Sequence, residues 1–216
     1  PYILGQRNKI IDEDTIENED SNFGLDAKVS VGSSMTLDLT YNTDFAQVEA
    51  DEQQINLDRF SLFFPEKRAF FLENAGLFSV GSGGGYSGPD IEMFFSRRIG
   101  VGSDGIPVPI IGGGRLTGTL SGMKVGVLSM VTDKVKDVTD QNNYSVLRLK
   151  KELPNRTHIG GMYTALDHTG HGGYINQSYA IDAQLGLGEL NKIIAFAGLT
   201  DTPGLNKDNA YAFRLE

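Results

Sequence analysis

From Arg115 to the last residue the chain repeats one pattern: runs of alternating apolar and polar residues, joined by connections that are short, then long, then short. The short ones are Ser121-Gly122, Leu153-Pro154-Asn155-Arg156 and the turn from Gly188 to Asn191; the long ones cover 132–143, 167–173 and 202–209. Period-2 alternation places one set of side chains on each face of a strand. Here Met123, Val125 and Val127 share a face, as do Tyr179, Ile181, Ala183, Leu185 and Leu187, opposite Asp182 and Gln184. The runs are about 8–11 residues long, the length of a tilted membrane-crossing strand, and tight turns alternating with long loops are the connection pattern of a membrane barrel. The pattern predicts an all-β fold, an antiparallel meander forming part of a transmembrane β-barrel. In lipid only a closed sheet satisfies every backbone N–H and C=O. An antiparallel sandwich with one wet face shows the same period, so a soluble sugar-binding β-sandwich stands as an alternative.

The rhythm also governs the start of the chain. Leu25, Ala27, Val29 and Val31 alternate with Asp26, Lys28 and Ser30, then Gly32-Ser33-Ser34 turns into Met35, Leu37, Leu39 and Tyr41. Two such runs around a Gly/Ser turn read as a hairpin. Between residues 44 and 98 the rhythm stops. The segment DFAQVEADEQQINLDRFSLFFPEKRAFFLENAGLF sets Phe60, Phe63, Phe64, Phe70 and Phe71 around Pro65-Glu66-Lys67-Arg68. GSGGGYSG follows as a loop, and IEMFFSRRI over 91–99 reads as a strand carrying Arg97 and Arg98. The expected organisation is an acidic linker or loop over 1–22 and a partial barrel domain over 23–216, with 44–98 an aromatic and charged insert.

That insert is the candidate functional element. In one reading it is a plug: the aromatic rings anchor it inside a barrel, and its charges pair with lumen residues. Arg97, Arg98 and Arg115 are the expected partners of Glu49, Asp51, Glu66 or Glu73, because charges in a low-dielectric lumen have to be paired. In the other reading Phe63, Phe64, Phe70 and Phe71 belong to an aromatic girdle, and the turn of Pro65, Glu66, Lys67 and Arg68, with Glu73, is a structural hairpin whose charges stay solvated at the rim. Asp26, Lys28, Asp38, Arg115, Asp182 and Gln184 are the expected lumen-lining residues.

The net charge of −9 and the absence of a basic face argue against a nucleic-acid partner. With no Cys there is neither a disulfide framework nor a thiolate metal site. No run approaches the roughly 20 apolar residues of a membrane helix. The start, PYILGQRNKIIDEDT, lacks a signal-peptide pattern, and the end, AYAFRLE, stops inside an alternating run. The expectation is a piece of a longer chain.

Catalytic and metal-binding patterns are weak. Six carboxylates fall in the nine residues from Asp12 to Asp20. Asp12, Asp14 and Asp20 are weak calcium candidates, since Ca²⁺ takes several oxygen ligands, but the EF-hand spacing is missing and a solvated charge run accounts for them. His168 and His171 share the loop DHTGH with Asp167, with no second ligand pair near, and His158 is the remaining histidine. There is no phosphate loop and no GxSxG elbow. No cofactor is expected, and the chain leans away from being an enzyme. A barrel-anchored surface hydrolase acting on glycans or other polymers is the alternative, with Glu49, Asp51, Glu66 and Glu73 as the acidic residues dense enough to serve.

The central segment, with MFFSRRIG and GGGRLTGTLSG after it, resembles a bacterial family of long outer-membrane proteins. GLDAKVSVGSSMTLDLTYNTDF, ELPNRTHIGGMY and TDTPG extend the likeness over nearly the whole chain. The family resembles a family 9 carbohydrate-binding-like β-sandwich joined to a C-terminal domain of unknown function with an expected β-barrel. Ala69 stands where the EKRPFF form of the motif has Pro. The resemblance implies the outer membrane of a Gram-negative bacterium, contact with outer-membrane lipid, and glycans or other outer-membrane proteins as partners. It implies no proven activity; the expected role is a channel, transport or scaffold component linked to glycan capture.

Overall fold

The computed structural model describes residues 2–9, 19–42, 66–81, 92–102, 106–170 and 173–216. The fold is all-β. Ten strands, β1 (Tyr2–Lys9), β2 (Glu19–Val31), β3 (Met35–Tyr41), β4 (Ile110–Leu120), β5 (Met123–Thr132), β6 (Asn142–Leu153), β7 (Thr157–His168), β8 (Ile175–Leu187), β9 (Asn191–Asp201) and β10 (Asp208–Leu215), form one antiparallel sheet in sequence order. Each strand pairs with its chain neighbour, so the sheet is a pure meander. Among the described residues β1 and β10 are its two edges and do not pair with each other.

Turn chemistry sets the register. Ser121 and Gly122 both take positive φ (50° and 72°), the geometry of a tight hairpin, with Leu120 opposite Met123. Asn155 and Arg156 do the same between β6 and β7 (59° and 55°). Arg156 is a costly residue there, and its Nη2 donates to the carbonyls of Gly188 (2.8 Å) and Asn191 (3.3 Å) in the neighbouring turn.

Two parts of the chain differ from the sequence reading. Residues 1–22 are not loop throughout: β1 lies inside them, and β2 begins at Glu19 rather than at Phe23. Residues 92–99 of the apolar run expected as a strand over 91–99 are not a strand. Ser96–Arg98 is a 3₁₀ turn, in which the Ile99 N–H donates to the Ser96 carbonyl at 2.9 Å. Helical turns also form at α1 (Ala69–Leu72) and at Ala75–Phe78. Asn74, at φ 58°, reverses the chain between them.

The two faces are unlike each other. Register places Leu25, Leu39, Leu116, Val127, Leu147, Tyr163, Tyr179 and Leu199 on one face. This apolar face is the uncovered one: Ile181 is 67% exposed, Phe213 72% and Tyr211 82%. The opposite face carries Asp38, Thr40, Arg115, Thr117, Arg148 and Asp182, all buried. Burial on that side comes from the insert. Phe71, Phe78, Val80 and Ile99 pack with Ile110, Leu128, Met130, Val146, Met162, Ala180 and Phe196 in one core cluster.

Candidate functional site

The insert is seated on the charged face by small residues in the wall. A Cβ on Gly126 would lie 2.9–3.0 Å from the side chains of Leu77 and Phe78, so only glycine leaves room for the Ala75–Phe78 turn against β5. Phe78 stands 5.9 Å from Phe94, and Phe70 meets Phe71 edge-on at 5.1 Å. Aromatic pairs of this geometry add to what area burial alone supplies.

Arg68 holds the insert together. The residue is 1% exposed. Nε and Nη2 donate to the two oxygens of Glu66, each at 2.8 Å, while Nη1 donates to the Ile99 carbonyl (2.6 Å) and Nη2 to that of Ser96 (2.8 Å). The guanidinium lies 4.2 Å from the Phe71 ring centroid, and the Ser96 hydroxyl donates to Glu66 at 2.7 Å. One arginine thus ties residues 66–71 to residues 96–99. Burial pushes the Glu66 carboxyl up, but the hydrogen bonds from Arg68 and Ser96 and the Arg68 charge outweigh it and leave the pKa below its ordinary value. The expectation that Arg97, Arg98 or Arg115 would neutralise Glu66 is corrected here: its salt-bridge partner is two residues away, where a bidentate fork fits.

Arg115 joins the insert to the wall. From β4 its Nη2 reaches Asp38 on β3 (2.7 Å) and Glu73 on the insert (3.3 Å). Nη1 donates to the backbone carbonyls of Phe70 and Glu73, and the guanidinium lies 5.1 Å from the Phe70 ring centroid. Lys28 on β2 adds a second cation, 2.6 Å from Glu73 and 3.5 Å from Asp38. The expected pairing of Arg115 with Glu73 is therefore present. Asp38 and Arg115 sit directly opposite each other in the β3–β4 register, so the wall presents a preformed ion pair that the insert completes.

A second charged node lies further along the same face, and the sequence reading missed half of it. Arg148 on β6 makes a bidentate pair with Asp182 on β8, at 2.6 and 2.8 Å, with His158 on β7 3.5 Å from the same carboxylate. Asp182 was expected on this face; Arg148 was not singled out. The available signal was its phase, since Arg148 lies two residues from Val146 and shares its face.

The remaining candidates divide. Lys67 and Arg98 are exposed and Arg97 is buried. Glu49, Asp51, Phe63, Phe64, Pro65, Asp12, Asp14 and His171 lie outside the described residues, and Asp20 falls in β2. Glu66 and Glu73 are both held in ion pairs. His168 packs on Tyr174 with ring centroids 4.5 Å apart. Among the described residues no three His, Asp or Glu side chains come together as metal ligands. A cavity of about 270 Å³ separates insert from wall, lined by Phe71, Phe78, Met93, Phe94, Glu66 and Arg115 among others. Burial pushes the Glu92 carboxyl at its edge up, against the opposing charge of Arg98.

Residues 1–107 match the model of a family described as a domain of unknown function, DUF5916. The match takes in β1, β2, β3 and the insert and stops just before β4. No curated protein and no solved structure matches the chain.

Proposed function

We propose that this chain is wall and plug of an outer-membrane β-barrel, a non-enzymatic channel, transport or scaffold component whose insert occupies the lumen. One observation carries the reading: the face left uncovered is the apolar one, running from Leu25 on β2 to Phe213 on β10, while the covered face holds the fully buried Arg115 and Arg148. A sheet meant for water buries its apolar face, and soluble monomers rarely expose a contiguous apolar patch beyond a few hundred Å². A sheet meant for lipid does the reverse and turns polar side chains into the barrel. The resemblance to outer-membrane proteins with an upstream carbohydrate-binding-like sandwich supports the same location and adds glycan capture as the associated role.

Fractionation of the intact protein tests this. Recovery with outer membranes, extraction only by detergent, and a gel mobility that shifts on boiling are the expected results. Clean solubility without detergent and no mobility shift would overturn the proposal.

A further inference from the structure

We propose that the cleft between the insert and the short-turn end of the sheet binds a small hydroxylated anion, of the chemical class of a sugar phosphate or a uronate. This goes beyond the barrel reading and stands on the cleft itself. The cleft has a volume of about 520 Å³ and is lined by Thr36, Thr117, Thr119, Lys124, Lys150 and Asn74, among others. That volume falls in the range of small-molecule sites. Register sets Thr36 beside Thr117, Thr119 beside Lys124, and Lys124 beside Lys150, so hydroxyls and ammonium groups share one face of four neighbouring strands. From the insert side, the Asn74 amide donates to the Thr117 hydroxyl at 3.2 Å and fixes both groups.

Charge singles the cleft out. Like charges directly opposite on paired strands destabilise a sheet, yet Lys124 and Lys150 face each other. Glu152 bonds Lys124 at 2.7 Å and lies within the field of Lys150, so one carboxylate is shared by two ammonium groups, and Lys150 makes no direct ion pair with the described residues. The surroundings point the same way. At the short-turn end, residues 119–124, 150–158, 185–192 and 214–216 hold six Lys or Arg against three Glu. At the long-loop end, residues 132–142, 167–176 and 201–208 hold six Asp against three Lys. In a chain of net charge −9, an anion is attracted at this end and repelled at the other. An ammonium group gives phosphate or carboxylate a charge-assisted hydrogen bond, and the threonines and Asn74 match the hydroxyls of a sugar.

Calorimetric titration of the intact protein with glucose 6-phosphate, glucuronate, inorganic phosphate and glucose tests the proposal. Glucose 6-phosphate or glucuronate is expected to bind, and which of them binds identifies the anion; glucose is expected not to bind. Lys150→Gln should weaken binding about tenfold or more, the loss of one charged hydrogen bond, and Lys150→Arg should retain it. Gly76→Glu is the independent variant. A Cβ there meets nothing within 4 Å, so the fold tolerates it, while the new carboxylate at the cleft abolishes anion binding. Binding unaffected by Lys150→Gln and Gly76→Glu, phosphate binding as tight as that of the sugar anions, or no binding of either sugar anion would overturn the proposal. Mobility on unboiled gels is read on the same samples, so loss of the barrel reading and loss of this site are seen separately.

Discussion

Arg148 and Asp182 sit on strands that are not neighbours, yet they close a bidentate ion pair at 2.6 and 2.8 Å across the strand between them. Gly160 of β7 makes this possible: a Cβ there would lie 2.5 Å from Arg148 Nη1 and 2.7 Å from Asp182 Oδ1. Gly160 is also directly opposite Asp182 in the register. Both charges are almost fully buried, so the pair is tolerated only with its geometry intact.

Gly160→Ala is therefore expected to destabilise the protein by about 3 kcal/mol, the scale of breaking a buried pair. Arg148→Met alone should cost a similar amount, because it strands Asp182. The double variant Arg148→Met, Asp182→Leu should be milder than Arg148→Met. Denaturant midpoints check the order; a double variant that loses the sum of both singles contradicts it.

Arg115 bonds wall and insert together, with Lys28 beside it on Glu73. Arg115→Met removes its contacts to Asp38, Glu73 and the Phe70 carbonyl. The expected loss is about 3 kcal/mol or more, concentrated in the docking of the insert. Limited trypsin digestion reads it: cleavage at the exposed Lys67 should speed up while the hairpins β6–β7 and β8–β9 stay protected.

The insert should also loosen in acid. The Glu66 pKa lies below its ordinary value in the folded state. Its stabilising contribution is therefore complete above the ordinary carboxylate range, near pH 4.3, and is lost as the pH falls through the depressed value. Glu66→Gln should flatten this acid limb and leave the behaviour near neutral pH unchanged in slope. Trypsin is inactive in acid, so pepsin accessibility of the insert against pH is the measurement.

The apolar face makes a quantitative prediction. Ile181 lies mid-strand in β8 and is 67% exposed. In water, replacing so exposed a residue by Arg should change stability by no more than about 0.5 kcal/mol. On a lipid face near the midplane the same change should cost about 2–4 kcal/mol. Equilibrium unfolding of Ile181→Arg in bilayers separates the two.

Much of the sheet was legible because period 2 and turn residues are local signals. Leu120-Ser121-Gly122-Met123 and Pro154-Asn155-Arg156 turn where their chemistry requires. The strand assigned to 91–99 failed for a reason outside that segment. The Ser96 and Ile99 carbonyls that a strand would offer to a neighbour accept from Arg68 instead, and apolar alternation cannot show this. Likewise Glu73 was legible as a partner of Arg115, but Arg148 gained its role only from Gly160, whose importance is the absence of a side chain. β1 went unread because its residues carry little alternation and pair across the acidic run.

Site-directed spin labelling along β8 tests the central claim most directly, since the chain has no Cys to remove. Single Cys residues from 176 to 186 are labelled in the protein reconstituted in bilayers, and collision with oxygen, which partitions into lipid, is compared with collision with a water-soluble nickel chelate. The account predicts a period-2 oxygen profile with maxima at positions 179, 181, 183 and 185, and chelate access low at those same positions. Chelate collisions that peak at 181 would place the apolar face in water and contradict it.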